Sequence, residues 1–217
     1  MSAGTEAQTV ESATTAIEYV PSPLLLHLLT LYRSAPDQKT RRYDRQLRLW
    51  AKSGQAALES AHILVLSSSS TSTSILKNLV LPGVGNFTIL DNTITSPADA
   101  GNNFFLEGLD SVGKPRAAEA VRLLLELNEG VKGQAITDKS PEEILADPET
   151  LKGYTLIIAH NLDKPVLDRL SNLLWADVKS PPLVILRSAG FLAEVFIQFH
   201  EHASECSSSL FDSCPWG

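Results

Sequence analysis

Short apolar runs alternate with amphipathic helical segments along most of this 217-residue chain. Continuous apolar runs of about five residues are typical of strands that are buried on both faces of a parallel sheet. Strands are predicted at His62–Leu66, Asn86–Leu90, 133–137, 154–160, 183–186 and 191–199, and helices at 41–60, 74–81, 115–128 and 166–175. Strands alternating with helices predict an α/β fold with a doubly wound, mostly parallel, Rossmann-like sheet.

Charge and the length of the apolar runs exclude several classes of function. The formal net charge is -7 and the pI is about 5.2. Nucleic acid or an anionic membrane is therefore a disfavoured partner, because either would require a basic surface. The apolar stretch at 23–32 is about half of the ~20 residues that a bilayer span needs. Residues 1–32 contain no Lys or Arg, which argues against a secretory or transit signal.

The cysteines and the terminal segments indicate the compartment and the domain limits. Cys206 and Cys214 have no partners at zinc-ligand spacing, so no metal site is predicted. This usage fits a reducing, intracellular compartment, and the predicted location is the cytoplasm, with the nucleus second. Residues 1–40 are rich in Ser, Thr, Ala and Pro and predict a disordered extension. One α/β domain is expected at 41–202, and a divergent tail at 203–217.

A basic stripe is predicted on the first helix. Its apolar positions follow helical spacing and would dock the helix on the domain: Tyr43, Leu47 and Trp50. A second face carries the cations Arg41, Arg45, Arg48 and Lys52, over about three turns. For most such stripes a solvated face is the explanation, although a basic stripe in an acidic protein requires a reason.

The turn after the first strand lacks the glycines of a nucleotide-binding loop. Glycines let the backbone approach a phosphate in that turn, yet none lies between Ser60 and Pro82. Residues 67–73 read SSSSTST instead, with Ser72 or Thr73 as the expected helix cap. Side chains here crowd a phosphate, and positive φ angles become costly. An NAD-dependent dehydrogenase is therefore rejected, ATP binding is disfavoured, and Asp91 is interpreted as a strand-terminal turn residue.

Four segments together resemble a known family. They are YDRQLRLW from Tyr43, LKNLVLPGVGNFTILD ending at Asp91, DAGNNFF from Asp99, and VGKPRAAEA around Lys114. In this order they are similar to the adenylation fold of the activating enzymes for ubiquitin-like proteins, the ThiF/MoeB-like superfamily. DAGNNFF and the ELN that ends at Asn128 look most like the regulatory subunit of the neddylation pathway, the APP-binding-protein type. The resemblance covers residues 41–202 and implies a pseudo-adenylation domain there.

The resemblance implies a degenerate nucleotide site in this chain. Asp91 and Lys114 are retained, but Thr93 replaces the acidic partner of Asp91. Asn102 and Asn103 stand where the family has Arg and Gln. Losing a cation removes stabilisation of the triphosphate, so no catalytic residue is expected in cis and the chain is not catalytic by itself. No cofactor is expected on this chain, and ATP and magnesium are expected on the partner subunit.

The same resemblance implies a role for Arg45 and a set of partners. Arg45 would contact ATP in trans, on the catalytic subunit of a heterodimeric activating enzyme, where its guanidinium forks onto phosphate oxygens. The partner would adenylate the Nedd/Rub modifier and form a thioester with it. Because the family has more adenylation fold and a catalytic-cysteine-type domain, a C-terminally truncated form with an incomplete sheet is expected. The alternatives are a SUMO-activating partner subunit and a truncated interaction module without activity.

Overall fold

The computed structural model describes residues 37–201. The chain divides into a unit at residues 1–42 and a unit at residues 43–217. In the first, a short helix α1 spans Gln38–Arg42, and the Asp37 carboxylate accepts the Thr40 N–H at 2.8 Å. Most of the predicted N-terminal extension, and the tail with Cys206 and Cys214, lie outside the described residues, so the predicted domain limits stay a prediction.

A six-stranded sheet forms the centre of the second unit, in the order β3-β2-β1-β4-β5-β6. The strands are β1 His62–Leu66, β2 Asn86–Leu90, β3 Lys132–Ile136, β4 Leu156–His160, β5 Leu183–Ala189 and β6 Leu192–Gln198. Every neighbouring pair is parallel except β5 and β6, which form an antiparallel hairpin. The predicted doubly wound, mostly parallel α/β sheet is therefore confirmed.

Helices cover both faces of this sheet. They are α2 Asp44–Ser60, α3 Ser70–Val80, α4 Pro97–Asn102, α5 Arg116–Leu125, α6 Pro141–Ile144, α7 Pro148–Leu151 and α8 Lys164–Trp175, with a 3₁₀ helix at Gly108–Ser111. Leu76 of α3 and Leu124 of α5 pack with Ile63 on one face. Leu170 and Leu174 of α8 pack on the opposite face. Burying each such side chain contributes roughly 1.5–3 kcal/mol, so the two apolar clusters hold the layers together.

The predicted single helix at 41–60 is wrong. Tyr43 separates α1 from α2, and α2 itself is broken at Trp50 and Ala51, where Ala51 has φ 59°. At the break the Trp50 side chain lies so close to Gly54 that a β-carbon there would be 2.8 Å away, and its indole N–H donates to Gln55 Oε1 at 3.2 Å. These local contacts offset the lost helical hydrogen bonds, so the predicted basic stripe is not one continuous helical face.

Several other boundaries differ from prediction. Helix α3 begins at Ser70 rather than at residue 74, and β5 extends to Ala189. The short helices α4 and α6 were not expected, although Ser96-Pro97 and Ser140-Pro141 each open a capping box with an acidic side chain three residues on. No helix within residues 37–201 is both long and apolar enough to cross a lipid bilayer.

Candidate functional site

The turn between β1 and α3 lies at the carboxyl edge of the sheet, where open α/β folds bind their ligands. Ser67 has φ 87°, the left-handed conformation that favours glycine. The serine-rich turn therefore keeps a glycine-like backbone. Ser69 caps α3 by accepting the Ser72 N–H at 3.2 Å, so the predicted caps, Ser72 and Thr73, are wrong. Both of those side chains are buried inside the first turn of the helix.

Asp91 follows β2 and is buried, and its carboxylate is fully occupied by other groups of the chain. Oδ1 accepts the Thr93 N–H at 3.0 Å and the Thr93 hydroxyl at 2.6 Å. Oδ2 accepts the Ser68 N–H at 2.7 Å, Arg116 Nε at 2.9 Å and Arg116 Nη2 at 2.7 Å. A carboxylate has about four lone-pair positions. Asp91 is thus more than a turn residue, but it has no capacity left for ribose hydroxyls.

Arg116 connects this carboxylate to a second one. Its Nη1 donates to Asp99 Oδ1 at 2.8 Å, so one guanidinium bridges two acids. Burial acts to lower the pKa of Arg116, but the charge of Asp91 and the hydrogen bonds to both acids outweigh it and raise that pKa. Burial also acts to raise the pKa of Asp99, but hydrogen bonds from Ser96 and Arg116 hold it below its ordinary value. In this cluster the single positive charge of Arg116 is thus shared by the carboxylates of Asp91 and Asp99.

The two asparagines of the NNFF segment have different environments. Asn103 is buried; its Oδ1 accepts the Thr73 hydroxyl at 2.9 Å, and its Nδ2 donates to the Ser68 carbonyl at 3.3 Å. Asn102 is exposed and donates to the Ala98 carbonyl at 2.9 Å. Lys114 is 49% exposed, with its ammonium 3.9 Å from Glu119. The structure therefore brings Asn103 to the β1 turn with Asp91 and leaves Asn102 and Lys114 at the surface.

His160 belongs to the same edge, although the sequence pattern had not singled it out. It ends β4, is 4% exposed, and its Nδ1 is 2.8 Å from the Ser69 hydroxyl. Its Nε2 is 2.9 Å from the Ser188 hydroxyl on β5. Burial lowers the pKa of His160. The ring thus links the cap of α3 to β5, and the signal that could have found it is a polar residue at the end of an apolar strand.

The described cavities do not lie over the Asp91 cluster. One, of about 460 Å³, is lined by residues after β4 and along the hairpin, among them Asn161, Lys164 and Arg187. Another, of about 440 Å³, is a shallow depression along α3 that includes Ser70, Asn78 and Asn102. Among residues 37–201, no group of three or more His, Cys, Asp or Glu side chains is arranged to hold a metal ion.

Arg45 lies in the first segment of α2 and is exposed. Its neighbour Arg48 is engaged with Asp44 at 2.9 Å. Within the part of the chain that the structure describes, no carboxylate forms an ion pair with Arg45. Trp50, expected to dock the helix, is 38% exposed, whereas Tyr43 is buried. Arg45 is therefore an available cation beside an anchoring aromatic residue.

Tyr43 fixes the start of this helix through residues of two other motifs. Its hydroxyl accepts Asn128 Nδ2 at 2.9 Å, and Asn128 also donates to the Val80 carbonyl at 2.8 Å. Gly83 has φ 90°, and a β-carbon there would lie 2.6 Å from the Tyr43 hydroxyl oxygen. The buried hydrogen bond and the close approach at Gly83 hold the base of the Arg45 segment on the domain.

Relieving the backbone conformation of Ser67 is expected to stabilise the protein. A left-handed L-residue costs about 1–2 kcal/mol, and glycine recovers this less its own entropy cost. Ser67→Gly should therefore raise the free energy of unfolding by up to about 1 kcal/mol, measured by urea denaturation. Ser74→Gly, on the exposed face of α3, is the control and should lower it by about as much. A loss of stability in both variants would contradict the strain at Ser67.

The fold is that of a known class of protein. The model of the ThiF family matches residues 43–216, and the chain belongs to that family. The solved structures with this fold include PaaA, with a TM-score of 0.65 at 17% identity over 81% of this chain and 62% of that one. A tRNA N6-threonylcarbamoyladenosine dehydratase of E. coli, in complex with ATP, has a TM-score of 0.57 at 20% identity over 69% of this chain and 60% of that one.

Curated relatives specify the resemblance further. The chain is 45% identical over 165 residues to the NEDD8-activating enzyme E1 regulatory subunit of Xenopus laevis, covering 76% of this chain and 30% of that protein. Identity to the Gallus gallus protein of the same name is 46% over 165 residues, with the same coverage. For the Drosophila melanogaster protein it is 38%, covering 76% and 31%. The similarity to neddylation regulatory subunits is thus confirmed, and the chain spans about 30% of their length.

Proposed function

We propose that this chain is the pseudo-adenylation half of a regulatory subunit in a heterodimeric activating enzyme for the Nedd/Rub modifier. It is non-catalytic by itself and supports adenylation and thioester formation on a catalytic partner that holds ATP and magnesium. The assignment to the Nedd/Rub pathway rests on the name of the similar proteins. The observation that supports a lack of catalysis in cis is the environment of Asp91. Its carboxylate accepts hydrogen bonds from Arg116 of the same chain, in the place of the ribose hydroxyls of a bound nucleotide.

The surroundings of Asp91 support a degenerate site at each further position. Asn103 is used inside the fold, and Asn102 provides no charge. Lys114 is retained, but it lies at the surface near Glu119. The triphosphate would therefore meet few cations here, whereas adenylyl transfer requires positioned positive charge.

Arg45 supports the assignment of a role in trans. Its guanidinium is exposed and lies on a helix whose base Tyr43 anchors. An arginine with this freedom can fork onto phosphate oxygens of a neighbouring subunit. Leu49 and Phe104, on the segments that carry Arg45 and Asn102, are 78% and 83% exposed. They support a large apolar heterodimer interface of more than ~2,000 Å², typical of obligate partners.

Two alternatives remain distinguishable by experiment. A SUMO-activating partner subunit would share the fold, but the relatives described above carry the NEDD8 name. An interaction module without activity would bind the catalytic subunit and give no ATP–pyrophosphate exchange. The test is exchange by the catalytic subunit with and without this chain, with Nedd/Rub and SUMO-type modifiers compared. Exchange that this chain does not stimulate would exclude the regulatory role.

The isolated chain is expected to bind ATP poorly. The turn has serine side chains in place of glycines, and Arg116 donates hydrogen bonds to the Asp91 carboxylate that a nucleotide would need. Calorimetric titration of the 217-residue chain with magnesium–ATP should give a dissociation constant no tighter than about 1 mM.

The bacterial dehydratase that was crystallised with ATP provides the positive control for the titration. Micromolar ATP binding by this chain alone would overturn the degenerate site. Binding that appears only in the complex with the catalytic subunit would instead agree with it.

A further inference from the structure

Arg45 lies on a short helical segment that is held at both of its ends. The segment, called here the arginine arm, comprises residues 43–50. It begins at Tyr43, the residue before α2, and ends at Trp50 and Ala51, where the backbone leaves helical geometry. Two helical turns, about 11 Å, separate its two ends. A helix this short is not stable in isolation, so its position depends on the contacts at those ends.

Asn128 holds the first end of the arm. It is buried, and its Nδ2 donates to the Tyr43 hydroxyl at 2.9 Å and to the Val80 carbonyl at 2.8 Å. Its Oδ1 accepts the Gly130 N–H at 3.2 Å. The amide cannot rotate without losing these hydrogen bonds, so it fixes the Tyr43 hydroxyl relative to the end of α3. The Tyr43 carbonyl then accepts the Leu47 N–H at 2.9 Å and begins the helix of the arm.

Gln55 holds the other end of the arm. It is buried on the part of α2 that follows the break, and its Oε1 accepts the Trp50 indole N–H at 3.2 Å. Its Nε2 donates to the Pro82 carbonyl at 2.9 Å and to Glu59 Oε1 at 3.2 Å. A β-carbon on Gly54 would lie 2.8 Å from the Trp50 side chain, so the indole packs directly on the helix that carries Gln55.

Both ends of the arm are thereby connected to the same turn of the domain. This turn comprises residues 80–83, between α3 and β2. Asn128 reaches it at the carbonyl of Val80, and Gln55 reaches it at the carbonyl of Pro82. Two contacts to one turn, about 11 Å apart along the arm, fix its direction as well as its position.

The backbone at Ala51 supports a functional reason for this direction. Its φ of 59° and ψ of -176° lie in a region that is occupied almost only by glycine. Other residues stay in such a conformation only where the surrounding contacts impose it, and these positions cluster at functional sites. Here the contacts of Trp50 with Gly54 and Gln55 impose it. The strained joint lets the arm leave the direction of the rest of α2.

We propose that Asn128 and Gln55 are positioning residues for Arg45. They fix both ends of the arginine arm, so that the guanidinium meets the nucleotide of the catalytic subunit already aimed. The inference rests on the proposed function, in which Arg45 contacts ATP in trans. A group that is ordered before contact loses less conformational freedom when it binds. A displacement of ~1 Å in such a group can cost ~10²-fold in rate.

ATP–pyrophosphate exchange by the complex with the catalytic subunit tests this role. Tyr43→Phe and Trp50→Phe each remove the hydrogen bond to Asn128 or Gln55 and keep an aromatic ring. Each variant should lower exchange about threefold, in the lower range for the loss of one neutral hydrogen bond. The double variant should lower it about tenfold, and by no more than Arg45→Ala does.

Thr88→Val is the matched control for the loss of a buried hydroxyl. The Thr88 hydroxyl lies on β2, 2.9 Å from His62 Nε2, and not on the arm. Exchange by this variant should stay at the parent rate. Urea denaturation checks that all variants are folded and compares their losses of stability.

The Arg45→Ala background separates positioning from a merely structural role. If Asn128 and Gln55 act through Arg45, Tyr43→Phe should lower exchange no further once residue 45 is alanine. Tyr43→Phe and Arg45→Ala should also divide their effects between kcat and KM for ATP in the same proportion. A drop by the same factor in both backgrounds, or no drop in the parent background, would overturn the proposal. No effect of Arg45→Ala itself would instead overturn the role in trans, and the positioning role with it.

Hydrogen exchange of the 217-residue chain alone tests the arm without the partner. The amides of residues 47–49 should exchange about fivefold faster in Tyr43→Phe and in Trp50→Phe than in the parent, because the arm opens locally. Thr88→Val should leave the exchange of these amides unchanged. Parent-like protection of the arm in both phenylalanine variants would show that other contacts hold it, and would overturn the proposal.

Discussion

Arg116→Met is expected to lower the free energy of unfolding by about 3–5 kcal/mol, because it leaves a buried carboxylate without its cation. The Asp91 side chain is 4% exposed and that of Arg116 15%, and their nearest atoms are 2.7 Å apart. Methionine keeps much of the apolar stem and removes the charge. Urea denaturation should show a lower midpoint with an unchanged slope, as for a pure loss of stability.

Arg122→Met is the matched control for this loss. Arg122 lies on the same helix, α5, and forms surface ion pairs with Glu107 at 2.7 Å and Glu119 at 3.2 Å. Exposed pairs contribute little, so this variant should lose only a small fraction of the Arg116 effect. The double variant Asp91→Asn, Arg116→Met should lose less than the sum of the single variants. Equal, small losses at Arg116 and Arg122 would show that the Asp91 cluster is not a stabilising centre.

The pH dependence of the same comparison has a definite sign. The pKa of Asp99 is held below its ordinary 3.8 in the folded protein. The contribution of Asp99 to the free energy of unfolding is therefore fully present at pH values above 3.8. It is lost as the pH falls through the folded pKa. The stability difference between the parent and Arg116→Met should therefore narrow on acidification below about pH 4. A gap that widens at low pH would contradict the pairing of Arg116 with Asp99.

Arg45→Ala is expected to lower ATP–pyrophosphate exchange by about tenfold to a hundredfold, the effect of losing one charge-assisted contact. Larger effects, of ~10³-fold or more, belong to arginines that act on the transferred phosphate of GTP. In adenylyl transfer pyrophosphate leaves, and the terminal phosphate is remote from the reacting centre. The measurement requires the catalytic subunit and a regulatory chain that supports exchange, with further residues of the longer relatives present where activity needs them.

Binding to the catalytic subunit should be nearly unchanged in Arg45→Ala, because the proposed contact of Arg45 is with the nucleotide rather than with the subunit interface. Arg45→Lys should restore only part of the exchange, since the planar fork is lost. Arg48→Ala is the control on the same helix. The Arg48 side chain is 78% exposed and paired with Asp44, so ATP–pyrophosphate exchange should stay at the parent rate in this variant. Exchange at the parent rate in Arg45→Ala would make Arg45 an ordinary surface residue.

The strands of the central sheet could be predicted from the sequence because their cause is local. His62–Leu66 and Asn86–Leu90 are continuous apolar runs, and such runs are stable only when both faces are covered. The helix end at Pro82 and Gly83 was predictable for a similar reason, since proline and glycine act on their own backbone. The motifs around Tyr43 and Asp91 also sufficed for the resemblance to the family, which the comparisons confirmed.

The break in α2 depended on contacts that no periodicity contains. The apolar spacing of Tyr43, Leu47 and Trp50 predicts one docked helix, but Trp50 turns onto Gly54 and Gln55 instead. Likewise, a serine at position 67 predicts avoidance of positive φ, whereas the fold imposes φ 87° there. At Trp50 side-chain contacts within α2 itself outweighed the helical preference, whereas at Ser67 the surrounding fold outweighed a local preference of about 1–2 kcal/mol.

By itself, the sequence determined the layered α/β sheet, the absence of glycine from the first turn and the presence of Arg45 beside an anchoring Tyr43. Only the tertiary structure decided which groups donate hydrogen bonds to the Asp91 carboxylate. Arg116 lies 25 residues further along the chain, and its guanidinium reaches Asp91 because α5 begins at the same edge of the sheet as β2 ends. Hydrogen bonds between residues so far apart depend on where whole elements pack, and elements pack through the combined burial of many side chains.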